Sequence, residues 1–470
     1  LDYDATNEEA GGKVFKGKLR VEVTMLEGDP VSDVIVDNVG ENGSTYDDGT
    51  DTFITGTDPN NYIWYSGKLW RAVSVNNEAK TTKLVTQWNI SAINYNVANN
   101  NAAFEGSYME DWLNDTSVDG FLYNLRDYEN FIETNAKWDA STDANKLGSI
   151  QKPNATTIVE DAVGLLNMYE YQSSYRGADY STGYLNNGLY WWTLTSYNAS
   201  RVRSVTKIGD VDNASLSYMR GVRPSINLKS SVKIVDGDGT IDNPYRLAGD
   251  NDSSLSGTLL NTRYSGEYIR FGNAENNLYR IVSHENGSGT KITSAEPLKS
   301  SKKFIERALG SVNYSSTTTM GTFLNGDYLT KYVDSTYSNM IEDNTTWYLG
   351  TVGGGSYKLA KYTNATGNIL RSKTTIAKVG LLRYGELMSG QFERSFVKGG
   401  TTETGLTTSY FLLTPTDASN ARVVFNYGYA DRGDPFNTHG VRPSINLKSN
   451  VQITGGDGTK NNPFTIELSS

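Results

Sequence analysis

The ten residues Gly221–Ser230, GVRPSINLKS, recur letter for letter at Gly440–Ser449, 219 positions downstream. The stretch is neither simple nor periodic, so chance and local propensity do not account for the match. Without a gap, Met219–Leu247 and Thr438–Ile466 share 18 identities in 29 positions. Upstream at the same offset, YWWTLTSYNASRVRSV at 190 meets SYFLLTPTDASNARVV at 409, placing Trp191 on Tyr410, Trp192 on Phe411 and Arg203 on Arg422. With small drifts of offset, VGLLNMYEY at 163 meets VGLLRYGEL at 379, WLN at 112 meets FLN at 323, and LWRAVSVN at 69 meets LYRIVSHE at 278. The order holds throughout, so a whole domain was duplicated. The period is too long for a solenoid, and two beads in tandem are expected.

A chain of 470 residues exceeds one ordinary hydrophobic core, which agrees with two domains. The division read from the repeat is an N-terminal strand and loop segment at 1–54, repeat 1 at 55–248, a linker at 249–259 and repeat 2 at 260–470. The linker is rich in Gly, Asp and Ser. Within the first segment, GKVFKGKLRVEVTML at 12–26 alternates as a strand, and DNVGENGSTYDDGTDTF reads as a loop. Each repeat opens with a strand pair and closes with strands. Repeat 1 has helical stretches between, YMEDWLNDTSVDGFLYNLRDYENFI and TIVEDAVGLLNMYEY. Strands, helices, then strands predict an α+β fold.

Hydrophobic residues are only 37%, yet Gly (46), Tyr (31) and abundant Asn, Ser and Thr favour strands joined by turns. The net charge of −10 gives no long-range attraction to nucleic acid or anionic lipid, so no nucleic-acid partner is expected. No apolar run approaches a membrane-spanning helix, so no membrane insertion is expected. The absence of Cys excludes disulfides, thiolate chemistry and Cys-ligated zinc. It also suits bacterial secreted proteins that do not use disulfides, and the expected location is extracellular or the cell surface. No signal peptide is read, and the start at Leu1 looks like a mature or trimmed chain.

The closing pattern is two aromatics, Leu-Thr, an Ala, an alternating strand and then Gly-Val-Arg-Pro. It resembles the C-type-lectin-like fold, in the branch of formylglycine-generating enzymes and the variable proteins of diversity-generating retroelements. GKLWR, WLN and a terminal GDGT-x-x-NPY recur in similar domains of uncharacterised Gram-positive surface proteins. The resemblance implies two tandem C-type-lectin-like domains, and it implies no enzyme activity by itself. The formylglycine-generating branch needs reactive cysteines, which this chain lacks.

Chemistry is sparse. His284 and His439 fall at non-equivalent positions, against Val75 and Arg220, so no histidine site is built once per repeat. Glu110, Asp111, Asp127 and Glu129 read as solvated helix faces, and nothing singles out a carboxylate pair. DGDGT at 236 has the look of a calcium loop but lacks a downstream Glu, and repeat 2 reads GGDGT. An Asp-Gly turn between two strands is the plainer reading, and no metal or cofactor is expected. Arg223 and Arg442, set between apolar neighbours, fit guanidinium ties to buried carbonyls, with a ligand role as the alternative.

The repeats differ most between Gly209/Gly428 and Gly-Val-Arg-Pro: DVDNASLSYMR faces YADRGDPFNTH, equal in length with almost no identity. The resemblance makes this segment part of a ligand-presenting face, and its Tyr, Asn, Asp and Arg are residues that binding loops use. Two copies do not separate selection from drift. The candidate ligand-binding residues are Tyr197, Asp212, Asn213, Tyr218, Tyr427, Tyr429, Asp431, Arg432, Phe436 and Asn437. The sequence thus reads as a non-catalytic surface protein binding an extracellular protein or glycan. Two alternatives remain: a subunit of a filament, pilus or layer that self-assembles by N-terminal strand addition, and a carbohydrate-active enzyme.

Overall fold

The computed structural model describes residues 27–96, 101–118, 120–142, 152–176, 179–284, 289–352, 373–386 and 408–469. The strand read at 12–26 lies outside them. Within them many strands are joined by short helices, an α+β architecture.

The duplication reappears as a duplicated strand order. In repeat 1, Tyr62–Tyr65, Lys68–Asn76, Thr82–Thr86, Ser225–Leu228 and Val163–Gly164 lie side by side. In repeat 2, Tyr268–Arg270, Leu278–Ser283, Thr290–Ser294, Pro443–Leu447 and Val379–Leu381 take the same places. A second, closing sheet runs Val211–Ser215, Arg201–Val205, Trp191–Asn198, Arg220–Val222, Ser91–Ile93. Its counterpart runs Ala430–Gly433, Ala421–Val424, Tyr410–Pro415, Thr438–Gly440, Glu306–Ala308. Even the parallel pairing within the closing sheet is copied, with Trp191 opposite Gly221 and Tyr410 opposite Gly440.

The identical decapeptide joins the two sheets of each repeat, and its residues do the same work twice. A Cβ on Gly221 would fall 1.8 Å from the Asn89 amide nitrogen, and one on Gly440 would fall 2.2 Å from the Thr408 methyl. Only glycine permits that approach. Arg223 Nε donates to the Thr86 carbonyl and Arg442 Nε to the Ser294 carbonyl, both at 2.8 Å. Their guanidiniums lie 4.7 and 5.2 Å from the rings of Trp191 and Tyr410. Both arginines are therefore structural ties. Ser225 and Ser444 hydroxyls donate to the Leu84 and Ile292 carbonyls, at 2.7 and 3.1 Å. Lys229 and Lys448 reach the Glu129 and Asn339 carbonyls, at 2.6 and 2.7 Å.

A second copied device lies beside it. Lys83 bonds Glu170 beneath the ring of Trp138, and Lys291 bonds Glu386 at 2.5 Å beneath Trp347. Each indole N–H donates to a carbonyl, of Asp161 and Ala377 respectively. Each ring then lies flat against a strand glycine. A Cβ on Gly164 would sit 2.4 Å from Trp138, and one on Gly380 would sit 2.6 Å from Trp347. Gly164→Ala and Gly380→Ala are each expected to lower stability by about 1–3 kcal/mol, because a rigid indole cannot yield as a flexible chain would. Urea unfolding of the two variants measures this.

Two sequence expectations need correction. First, DNVGENGSTYDDGTDTF is not a loop. Gly43–Asp47 pairs with Asp51–Gly56, which in turn pairs with Lys68–Asn76. Asp48 makes the turn: its carboxylate accepts the Thr50 and Asp51 N–H groups at 2.8 and 2.9 Å. Burial would raise its pKa, but these bonds and Lys152 hold it at about 2. The helix Val31–Asp37 buries Val31 and Ile35, so residues 27–54 are built into repeat 1.

Second, the helical stretches shrink to helices of four to six residues, Tyr108–Leu113, Tyr128–Phe131 and Met168–Ser173. Asp127 takes a left-handed φ of 44°, which breaks the first stretch. Ile158–Asp161 instead pairs as a strand with Ala136–Asp139, an arrangement repeated by Thr345–Tyr348 and Thr374–Ala377.

The Asp- and Ser-rich linker between the repeats is tied at two of its residues. Asp250 is buried and accepts the Ser66 N–H at 3.0 Å, while Asp252 takes a two-pronged bond from Arg126 at 2.6 and 3.0 Å. Arg263 of repeat 2 bonds the same Asp252 at 2.9 Å and also Glu267.

DGDGT is an Asp-Gly turn between paired strands, with Asp238 Oδ1 accepting the Thr240 N–H and hydroxyl at 3.0 and 2.7 Å. Asp457 repeats it on Thr459, at 2.9 and 2.7 Å.

Candidate ligand-binding face

The repeats meet along a seam, and the divergent segments form part of it. Ala430 N–H donates to the Met219 carbonyl at 2.9 Å, and Tyr190 N–H to the Tyr427 carbonyl at 2.8 Å. Asn89 donates to the Gly428 carbonyl at 3.1 Å. The end of one divergent segment touches the start of the other, so equivalent positions have unlike surroundings. This asymmetry gives a physical reason why their sequences parted.

Beneath the seam a shared core forms. Leu382, Tyr384, Leu412 and Val424 of repeat 2 belong to the same buried cluster as Trp192, Met219 and Leu216 of repeat 1. Tyr384 hydroxyl donates to Asn94 Oδ1 at 3.0 Å.

On the surface above, aromatic rings and cations alternate. Arg220 lies 4.1 Å from the Tyr190 ring and 5.5 Å from that of Tyr218. Tyr190 meets Tyr429 edge-on at 5.8 Å, and Tyr429 stacks on Phe425 at 5.0 Å. Phe425 meets His439 at 6.3 Å. Burial pushes the His439 imidazole down, against the pull of Glu306, favouring its neutral form. Lys207 sits 4.0 Å from the Tyr427 ring. The strip thus runs Tyr218–Arg220–Tyr190–Tyr429–Phe425 and crosses from one repeat to the other. Strands flank it, and most of its members are half-buried, with Tyr218 exposed.

Two of the ten candidate residues join this strip, Tyr218 and Tyr429, and Tyr427 lies beside it over Lys207. Tyr427 and Tyr429 also help hold the repeats together, and both remain half-buried. Asp212 and Asn213 lie on one closing-sheet edge strand, and Asp431 and Arg432 on the other. Asn213 accepts a bond from Arg201 at 2.9 Å. Tyr197 lies over Arg203 at 4.4 Å. Phe436 and Asn437 stand exposed at the turn made by Asp434. Sequence reading missed Tyr190, Arg220, Lys207 and Phe425. Arg220 was visible as the residue before Gly-Val-Arg-Pro, but nothing local announced that a ring from the other repeat lay near it.

A family model described as a domain of unknown function (DUF6273) matches residues 80–230. No curated protein and no solved structure matches the chain. The matched span runs from the Thr82–Thr86 strand to the decapeptide, taking in the closing sheet of repeat 1 and the first half of the strip.

Glu110 departs from the solvated face expected of it. It stands close enough to Asp161 for the two carboxyls to interact electrostatically. Burial, then the Glu110 carboxylate, push Asp161 up to about 7. Burial also raises Glu110. Repeat 2 has Gly321 and Ala377 at these places, so the pair belongs to repeat 1 alone. An acid whose folded pKa lies above its unfolded value stabilises fully below that unfolded value, and the contribution is lost as pH rises through the folded one. From about pH 4 to pH 7 the wild type is therefore expected to lose stability relative to Asp161→Asn, which holds a neutral group at every pH. Thermal midpoints of both proteins across that window test the sign; parallel curves would contradict it.

Among the described residues no helix is long and apolar enough to cross a membrane.

Proposed function

We propose that the chain is a non-catalytic extracellular surface protein of bacterial type that binds a protein or glycan partner across two tandem C-type-lectin-like repeats. The observation that carries this reading is the strip Tyr218–Arg220–Tyr190–Tyr429–Phe425. Rings and a guanidinium are the groups that anchor interfaces, because they offer large rigid contact with a polar handle. Here both repeats contribute them, so the face requires the pair. Flanking strands limit the ordering cost of binding. The copied strand order and the closing motif support the C-type-lectin-like assignment, and the Cys-free composition suits a bacterial protein outside the cell that does not use disulfides.

Tyr218→Ala and Arg220→Ala are expected to leave the melting curve within a few degrees of wild type and to weaken capture by about 1–3 kcal/mol each. The measurement is binding of the full chain and both variants to an array of bacterial and animal glycans and extracellular-matrix proteins. Equal binding by all three proteins, or no binding by any, would refute the reading.

A further inference from the structure

Below the pinned boundary lies a second feature that the strip does not use. The two Asp-Gly turns, one from each repeat, come together there: Asn461 donates to the Asp242 carbonyl at 2.7 Å, and Arg246 meets Asp457 at 3.5 Å. Between them and the opening strands is a half-enclosed cleft of 540 Å³. Its apolar side is formed by Trp64, Trp88, Tyr268 and the half-exposed Ile241. Its polar lining includes Asp and Asn residues of the two turns, with Lys68, Arg246, Arg280, Glu296 and Lys460 beside them.

We propose that this cleft binds a neutral saccharide of one or two rings. The proposal rests on the reading of the chain as a binding protein, but on a different site. Four observations lead to it. The volume falls within the range of small-molecule sites, about 300–1,000 Å³. The lining carries four acidic and four basic side chains, so no net charge selects an ion. A lining that mixes aromatic rings with carboxylate and carboxamide groups suits a pyranose, whose C–H face is apolar and whose edge carries hydroxyls that both donate and accept. Two polar atoms of lining residues, Thr86 Oγ1 and Arg246 Nε, are buried without a hydrogen-bond partner, which is uncommon outside functional or water-filled sites. Because the cleft walls come from both repeats, the site exists only in the pair.

The test uses intrinsic tryptophan fluorescence and calorimetry on the full chain. Lactose, maltose and N,N′-diacetylchitobiose are the neutral probes, with gluconate and glucosamine as charged comparators. Saturable binding of at least one neutral disaccharide is expected, with Kd about 0.1–10 mM. Ile241→Trp, which fills the cleft from an exposed position, and Asp242→Ala are each expected to weaken it about tenfold or more. Tyr218→Ala is expected to leave it unchanged, which separates this site from the strip. The proposal fails if no neutral disaccharide saturates, if only the charged sugars bind, or if Ile241→Trp binds as the wild type does.

Discussion

Glu386→Ala is expected to cost roughly 3–5 kcal/mol, one of the largest single effects in the molecule. The side chains of Lys291 and Glu386 are 3% and 4% exposed, and the Trp347 ring covers the ammonium at 5.1 Å. Removing the carboxylate takes the counter-charge from a cation that water does not reach. It also deprives the Arg383 N–H of its acceptor, at 2.7 Å. Replacing both partners together, Lys291→Met with Glu386→Leu, is expected to be far milder, because the buried charge leaves with its partner. Chemical unfolding of the single and double variants decides between an ion pair that stabilises and one that mainly fixes geometry. If the single variant falls by less than about 1 kcal/mol, the burial described here is wrong.

Tyr384→Ala should act at a distance from any site yet change how the whole chain melts. The ring is buried in the cluster shared by the two repeats, and its hydroxyl is bonded to Asn94. Removal of a buried aromatic costs about 3–5 kcal/mol, and here the cavity opens in the seam. The intact chain is expected to show one calorimetric transition. The variant is expected to show two, as each repeat loses the other's support. A wild type that already melts in two well-separated steps would refute the shared core.

The duplication was fully legible, because identity at a fixed offset does not depend on knowing the fold. The strands that open and close each repeat were legible too, since Tyr-Ile-Trp-Tyr, Ser-Gly, then Lys-Leu-Trp-Arg marks a hairpin. Ser66 and Gly67 do take left-handed φ values of 52° and 71° at that turn. The helices were overread. YMEDWLNDTSV carries apolar residues at helical spacing, but the helix capped by Ser107 stops at Leu113, and just beyond it Asp115 turns the chain by accepting the Ser117 N–H. The 43–56 hairpin was hidden because its turn is made by carboxylates bonding backbone, which looks like any acidic loop. The strip and the cleft were illegible for a different reason. Each draws its residues from both repeats, and no local pattern announces which surfaces of two beads will touch.

The boundary between the repeats has a consequence for how such a chain can be cut and inherited. Residues 249–259 have the composition of a cleavable hinge, yet Asp250 and Asp252 are held by Ser66, Arg126 and Arg263. Lys68 of repeat 1 is buried with its ammonium on the Ser265 carbonyl of repeat 2 at 2.9 Å. A protease meeting the folded chain finds no slack there, and a recombination event that excised one repeat would strand these groups against water. The module that selection can copy, move or lose is the doublet.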